Sequence, residues 1–378
     1  MPNISADRGV VAKRPNAPKG LSVSNGHRPE AAVDSLHAKL PVGRSVNHLG
    51  EVSGAMPLDR DRVSILSPLR FPGSKRRLAG YIARTLELNR LQPELLVEPF
   101  AGGASVALRL LNDGLVKRIG LADRDPLVAS FWKTVFYDAD WLVQKVRSID
   151  VTLERWEQLK RRIPTDTRGQ ALACLFLNRT SFSGILAPNA GPIGGKKQES
   201  AYDIACRFPR DTLEKRIRQA EGLSDRVAFV WNVSWPRCLQ LVASMQAAHS
   251  LPGDTFWYLD PPFFARADRL YRYFFLEDEH VRLRNALLSL KDNWMLSYDS
   301  LAEVGRLYQA ARQPTHVEAL YSTSSNGHVP MKEAIVTNLR SVPDETRLWK
   351  KSVEWKRNGT LNGHDAASPP MIVKASRR

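Results

Sequence analysis

The sequence predicts an α/β protein: a mostly parallel sheet with crossover helices, interrupted by a helical, basic insert. Three observations point there. An apolar run, a Gly-rich turn, a helical stripe and a second apolar run follow one another between Leu95 and Ala122. Short apolar runs rich in aromatic and β-branched residues return after Val227. The stretch between them has helical spacing and an excess of Lys and Arg. Strands alternating with helices are the pattern of parallel β-α-β units.

The ordered chain is expected from Ile65, as a loop containing Arg70-Phe71-Pro72-Gly73-Ser74-Lys75 and then a helix. Leu78, Ile82 and Leu86 recur every four residues, a helical stripe. Leu95-Leu96-Val97-Glu98 reads as a buried strand, followed by the turn Pro99-Phe100-Ala101-Gly102-Gly103. A helix through Val106, Leu110 and Leu111 closes at Asn112-Asp113-Gly114, a stop signal. Val116 to Ala122 reads as the next strand, ending at Asp123. Residues 127–222 are mainly helical, broken by a Gly/Pro stretch from Gly184 to Lys197; within 141–222 stand 15 Lys/Arg against nine Asp/Glu. Further strands are expected at Val227–Trp231, Thr255–Asp260, Asn293–Ser297, Thr315–Leu320 and Glu333–Leu339. The organisation that follows is one α/β domain made of 65–126 and 223–342, with 127–222 inserted. Residues 1–64, with nine basic and six acidic side chains and no period, read as a disordered basic tail, and 343–378 as a flexible one.

Composition narrows the class. The chain has 378 residues, 43% hydrophobic and 25% charged, enough for a core without a metal or disulfide staple. Lys plus Arg is 55 against 39 acids, a net charge of +16, which favours a polyanionic partner such as nucleic acid. Cys174, Cys206 and Cys238 form no CxxC pair, so neither a zinc site nor a disulfide framework is expected and a reducing cytoplasm fits. The polar start lacks the apolar core of a signal peptide, and no run of about 18 apolar residues exists to span a membrane.

Three constellations carry chemistry. Glycines at 102 and 103 let the backbone turn tightly between strand and helix and let a ligand approach; the same pattern also serves as a plain structural turn. Asp123 stands 20 residues after Gly103 at a strand end, where a carboxylate accepts hydrogen bonds from the two ribose hydroxyls of an adenosine cofactor. Asp125 competes for that role, and Asp123-Arg124-Asp125-Pro126 also suits a helix N-cap. Asp260-Pro261-Pro262-Phe263 directly follows the apolar strand Phe256-Trp257-Tyr258-Leu259. Two prolines stop that strand at the carboxyl edge, where such folds bind ligands. They leave a carboxylate, a backbone carbonyl and a ring to receive an amine and the base that bears it.

These residues resemble the adenine-specific DNA methyltransferases of the Dam-like, D12 class. The family's Asp-Pro-Pro-Tyr is similar to Asp260–Phe263, its Gly-Gly-Lys loop to Phe71–Lys75, and its Glu-Pro-Phe-x-Gly-Gly turn to Glu98–Gly103. Its Ala-Asp-x-Asn segment resembles Ala122–Asp125, and its Asn-Arg-x-x-Phe-Asn-Gly stretch resembles Asn178–Gly184. Ser297-Tyr298-Asp299 and Glu333–Asn338 are also similar to family segments, all in the family's order over about residues 65–340.

The resemblance implies a Rossmann-like seven-stranded methyltransferase sheet with an inserted target-recognition domain, S-adenosyl-L-methionine as cofactor, and methylation of adenine N6 in double-stranded DNA. By position, Phe71, Lys75, Phe100, Gly102, Asp123 and Asp260 would bind the cofactor. Asp260, Pro261 and Phe263 would be catalytic, with Phe263 stacked on a flipped adenine. Arg179 is expected to be structural and DNA-facing at once, and Lys196 and Lys197, on a Gly-rich loop, to contact DNA, with solvated surface charge as the other reading of the two lysines. Relatives of this kind often act as monomers, and no metal is implied. Departures are Phe263 for Tyr, Ser74 for Gly, and Trp231-Asn232 where many relatives place an acid after the strand. Other readings stay open: cytosine N4, RNA adenine or a glutamine side chain as acceptor, or an inactive nucleic-acid-binding relative. His280, in Glu277-Asp278-Glu279-His280, is read as a residue near a helix start.

Overall fold

The computed structural model describes residues 65–348 apart from 72–74, 265–266, 310–312 and 324–326. The expected tail 1–64 and nearly all of 343–378 lie outside the described residues. After a 3-10 turn at Lys75–Arg77 come α1 (Leu78–Leu88), β1 (Leu95–Glu98), α2 (Ser105–Asn112) and β2 (Arg118–Ala122). Five helices follow: α3 (Pro126–Tyr137), α4 (Ala139–Ser148), α5 (Leu153–Arg161), α6 (Thr167–Thr180) and α7 (Arg210–Glu221). The chain then runs through β3 (Val227–Trp231), α8 (Trp235–Ala247), β4 (Thr255–Leu259), α9 (Ala267–Leu270) and α10 (Glu277–Ser289). It ends with β5 (Asn293–Asp299), α11 (Ala302–Tyr308), β6 (Thr315–Thr323) and β7 (Gly327–Thr337).

The α/β expectation holds: the strands form one seven-stranded sheet in the order β3-β2-β1-β4-β5-β7-β6. The first five are parallel, and β7 runs antiparallel to both β5 and β6. The chain winds outward from β1 through β2 to β3, then returns to place β4 on the other side of β1. That reversal opens a crevice at the carboxyl ends of β1 and β4, the place where such sheets bind ligands. It sets Glu98 and the turn after it beside Asp260.

Alternate strand residues enter two cores. Leu96, Phe256, Tyr258 and Met295 face one cluster with α1, α2, α3, α6 and α7; Leu95, Val97, Trp257, Leu259 and Trp294 face another with α8, α10 and α11. Burial on both faces explains why the central strands read as continuous apolar runs. The boundary expected at 127 is not a break in packing. Leu127, Phe131 and Trp132 of α3 and Cys174 to Leu177 of α6 bury in the cluster that covers the sheet, so these helices extend its layer. α3 must do so because it begins the β2-to-β3 crossover, capped at its start by Asp125 and followed by Pro126.

Strand ends shift modestly from expectation. β2 starts at Arg118 instead of Val116, and β7 starts at Gly327, six residues before the expected Glu333. Gly327 and Pro330 look like breakers locally, yet the β6–β7 pairing runs from Thr315↔Ile335 to Thr323↔Gly327 and extends the strand through them. Among the described residues no helix is long and apolar enough to cross a membrane.

Candidate active site

A cavity of about 1110 Å³, measured out into open solvent, lies at the crevice. Phe71, Lys75, Phe100, Gly102, Asp123 and Asp260, all expected to bind the cofactor, line it together.

Its floor is the turn after β1. Glu98 is buried, and its Oε1 accepts the Ala107 N–H at 2.7 Å, tying β1 to the first turns of α2. Burial pushes Glu98 up to about 8, with the Ala107 bond opposing. Gly102 has φ of +44°, a conformation natural for glycine, and its carbonyl accepts the Trp132 Nε1–H at 2.8 Å. The Phe71 ring packs against the open side of this glycine.

The two candidate acids at the end of β2 separate cleanly. Asp125 is the cap: its Oδ1 accepts from Leu127 N at 3.0 Å and pairs with Arg272 Nη1 at 3.0 Å. Asp123 accepts the Gly102 N–H on Oδ2 (2.9 Å) and the Asp125 N–H on Oδ1 (2.8 Å), which keeps its carboxylate at the cavity edge. Burial, then the charge of Asp125, pushes Asp123 up to about 7. Asn232 donates to the carbonyls of Asp123 and Arg124, so it braces this loop from behind.

Asp260 forms the opposite wall. Its Oδ1 lies 3.0 Å from Lys75 Nζ and accepts the Ser297 hydroxyl at 3.1 Å. Ser297 in turn is 2.9 Å from the Tyr258 hydroxyl, which donates to it while Ser297 serves Asp260. Lys75 is buried and also reaches Glu333 at 3.6 Å, so one ammonium balances two carboxylates brought from β4 and β7. A buried ammonium is tolerated only with such partners. Its Nζ also sits 5.0 Å from the centre of the Phe263 ring, which meets Tyr271 edge-on at 5.9 Å. Pro261 is buried beneath this loop.

The next residue anchors the loop. Phe264 stacks on His280 at 3.7 Å, and His280 Nδ1 lies 2.8 Å from the Tyr298 hydroxyl. Burial pushes His280 down to about 4, so the ring is neutral at pH 7. Its position near the start of α10 was legible, whereas its stacking on Phe264 in the loop after β4 was not.

Arg179 takes the structural half of its expected role. It is 4% exposed, and its guanidinium donates to the Pro68 carbonyl, with Nε at 2.8 Å. α6 is buried from Ala173 to Thr180, so Arg179 lies within the helical layer over the sheet. Lys196 and Lys197 are exposed, on the expected Gly-rich loop, beyond the cavity. The sequence reading missed the segment Tyr271-Arg272-Tyr273-Phe274-Phe275, which lines the cavity. Phe275 meets Phe100 at 5.7 Å, and Arg124 lies 5.3 Å over Tyr273. Its signal was there as four aromatic residues around one arginine, but without a period to assign them to an element.

No curated protein matches the chain. A family model does, over a span that holds Phe71, the turn after β1, Asp123 and the Asn178–Gly184 stretch and that ends before Asp260. In residues 71–190 the chain matches the D12 class N6 adenine-specific DNA methyltransferase family.

Proposed function

We propose that this protein transfers a methyl group from S-adenosylmethionine to N6 of an adenine in double-stranded DNA. The observation that carries this is the convergence of Asp123, Lys75 and Asp260 on one cavity at the switch point of the sheet. The lining suits an adenosyl cofactor: a carboxylate held by two backbone N–H groups for a ribose diol, and the rings of Phe71 and Phe100 for apolar surface. When bound, S-adenosylmethionine supplies the electrophilic methyl group and its own leaving group.

The chain's residues do the rest by positioning. The adenine amine is a weak nucleophile because its lone pair is delocalised into the ring. Asp260 Oδ and the Pro261 carbonyl accept its two N–H bonds and localise that pair towards the methyl. Lys75 and Ser297 hold Asp260 in place for this, so reacting atoms meet in line without a strong base. The adenine is extruded from the duplex, which costs a few kcal/mol, and stacking on Phe263 offsets roughly 1–3 kcal/mol of it. Phenylalanine keeps the stacking face and lacks only the hydroxyl of the family's tyrosine. The helical segment 127–222 reads the target, with Lys196 and Lys197 on phosphates, and the enzyme works as a cytoplasmic monomer.

The test is methyl transfer from labelled S-adenosylmethionine to unmethylated duplex DNA, followed by nucleoside analysis, with Asp260→Ala alongside. N6-methyladenine that drops at least about 10²-fold in the variant is the expected result. Undiminished transfer by Asp260→Ala overturns the assignment. Label in N4-methylcytosine or in RNA would move the acceptor and keep the site.

A further inference from the structure

We infer that Glu279 is the residue by which the cavity reads the base of its adenosyl cofactor, its carboxylate accepting the exocyclic N6 amine. The inference rests on the methyltransferase reading and deepens it, from a cavity that suits a nucleoside to one that selects an amine-bearing purine.

The order of the sheet fixes where that base must lie. Asp260 follows β4, the turn at Gly102 follows β1, Asp123 follows β2, and Trp235 opens α8 after β3. The sheet runs β3-β2-β1-β4, so these residues stand in that order across its carboxyl edge. A cofactor with its reacting sulfonium at Asp260 and its ribose at Asp123 already spans β4 to β2. Its base therefore continues towards β3, where the cavity is lined by Trp235 and Glu279.

Glu279 stands in the first turn of α10, and its Oε1 accepts the Trp235 Nε1–H at 3.3 Å. Trp235 is buried, so the carboxylate is braced on a fixed ring. An acid at a helix start also suits the dipole, but Glu277 and Asp278 already supply that, exposed and away from the cavity lining. Glu279 is half-buried and faces the cavity. The wall beside it is aromatic: Phe275 meets Phe100 edge-on at 5.7 Å and His280 edge-on at 5.1 Å. Every other acid of the cavity has a task. Glu98 holds Ala107, Asp123 holds the turn at Gly102, Asp125 pairs with Arg272, and Asp260 pairs with Lys75. Among the described residues Glu279 forms no ion pair. An ionised carboxylate accepts hydrogen bonds and donates none, and one oxygen is enough for Trp235. The other suits an amine N–H, and a base without the amine would leave it desolvated and unpaired.

The test is titration calorimetry on the full chain with S-adenosylhomocysteine and with its 6-deamino analogue, which carries hydrogen in place of the amine. The wild-type chain is expected to prefer the amine-bearing ligand by roughly 10- to 150-fold, as for one hydrogen bond to a charged group. Glu279→Ala is expected to bring the two ligands nearly level, chiefly by weakening S-adenosylhomocysteine. Glu279→Gln keeps the volume and an acceptor for Trp235, loses the charge, and is expected to narrow the preference in the same direction. Glu277→Ala, on the same helix turn but outside the cavity, is expected to keep the wild-type ratio. Thermal melts establish that the variants are folded. A wild-type preference retained by both Glu279 variants would overturn the inference and leave the cofactor reading intact. A wild-type chain that binds neither ligand would overturn both.

Discussion

Gly184→Ala tests how the loop at Arg70-Phe71 is held beside the cavity. Gly184 has φ of +77°, and a Cβ there would lie 2.1 Å from the Arg70 carbonyl oxygen and 3.2 Å from the Arg70 Cβ. That same oxygen accepts from Asn178 Nδ2, which also donates to the Gly184 carbonyl at 2.8 Å. The methyl group therefore pushes on a joint where three segments meet. The left-handed backbone costs alanine about 1–2 kcal/mol. Overpacking adds about 1–3 kcal/mol, and strained Asn178 bonds about 1 kcal/mol. The sum is about 3–6 kcal/mol, or roughly 6–24 °C in Tm for a domain of this size. Gly195→Ala is the internal control: φ is +73° but nothing lies within 4 Å of its Cβ. It should cost only the backbone share, about 1–2 kcal/mol. Because Phe71 follows Arg70, Gly184→Ala should also weaken S-adenosylhomocysteine binding in titration calorimetry, while Gly195→Ala should not. Equal melting of the two variants would refute the steric argument, and unchanged binding by Gly184→Ala would refute the link to the cavity.

Further outcomes follow from the same geometry. Asp123 is held at about 7 in the fold against 3.8 unperturbed, so its ionisation opposes folding. That contribution to stability is complete below about pH 3.8 and fades as pH rises through about 7. Cofactor affinity should run the other way, tightening between about pH 6 and 8 as the carboxylate ionises to receive the ribose, and Asp123→Asn should abolish that pH dependence. Arg179→Ala should destabilise by about 1–3 kcal/mol, since the Pro68 carbonyl loses a buried donor, without changing the salt slope of DNA binding; a changed slope would return this residue to the DNA face. His280→Ala removes the stack on Phe264, worth about 0.5–1.5 kcal/mol, and should lower kcat about 2- to 10-fold with cofactor Kd unchanged; a shifted Kd would place the effect elsewhere.

Periodicity alone determined much of the fold. Strands buried on both faces must be apolar throughout, so β1 and β4 were legible nearly to the residue. Asp260 and the turn at Gly102 were legible because local chemistry dictates them: two prolines end a strand, and a left-handed turn favours glycine. What tertiary structure alone decided were relations between distant residues. Local sequence could not choose between Asp123 and Asp125, because the choice depends on Gly102 and Arg272 arriving from elsewhere. It could not say on which carbonyl Arg179 would be buried, because a charge reads the same in sequence whether its guanidinium is buried or exposed. Nor could it pair Lys75 with Asp260 and Glu333, which lie far apart in the chain and meet only where the sheet reverses its winding.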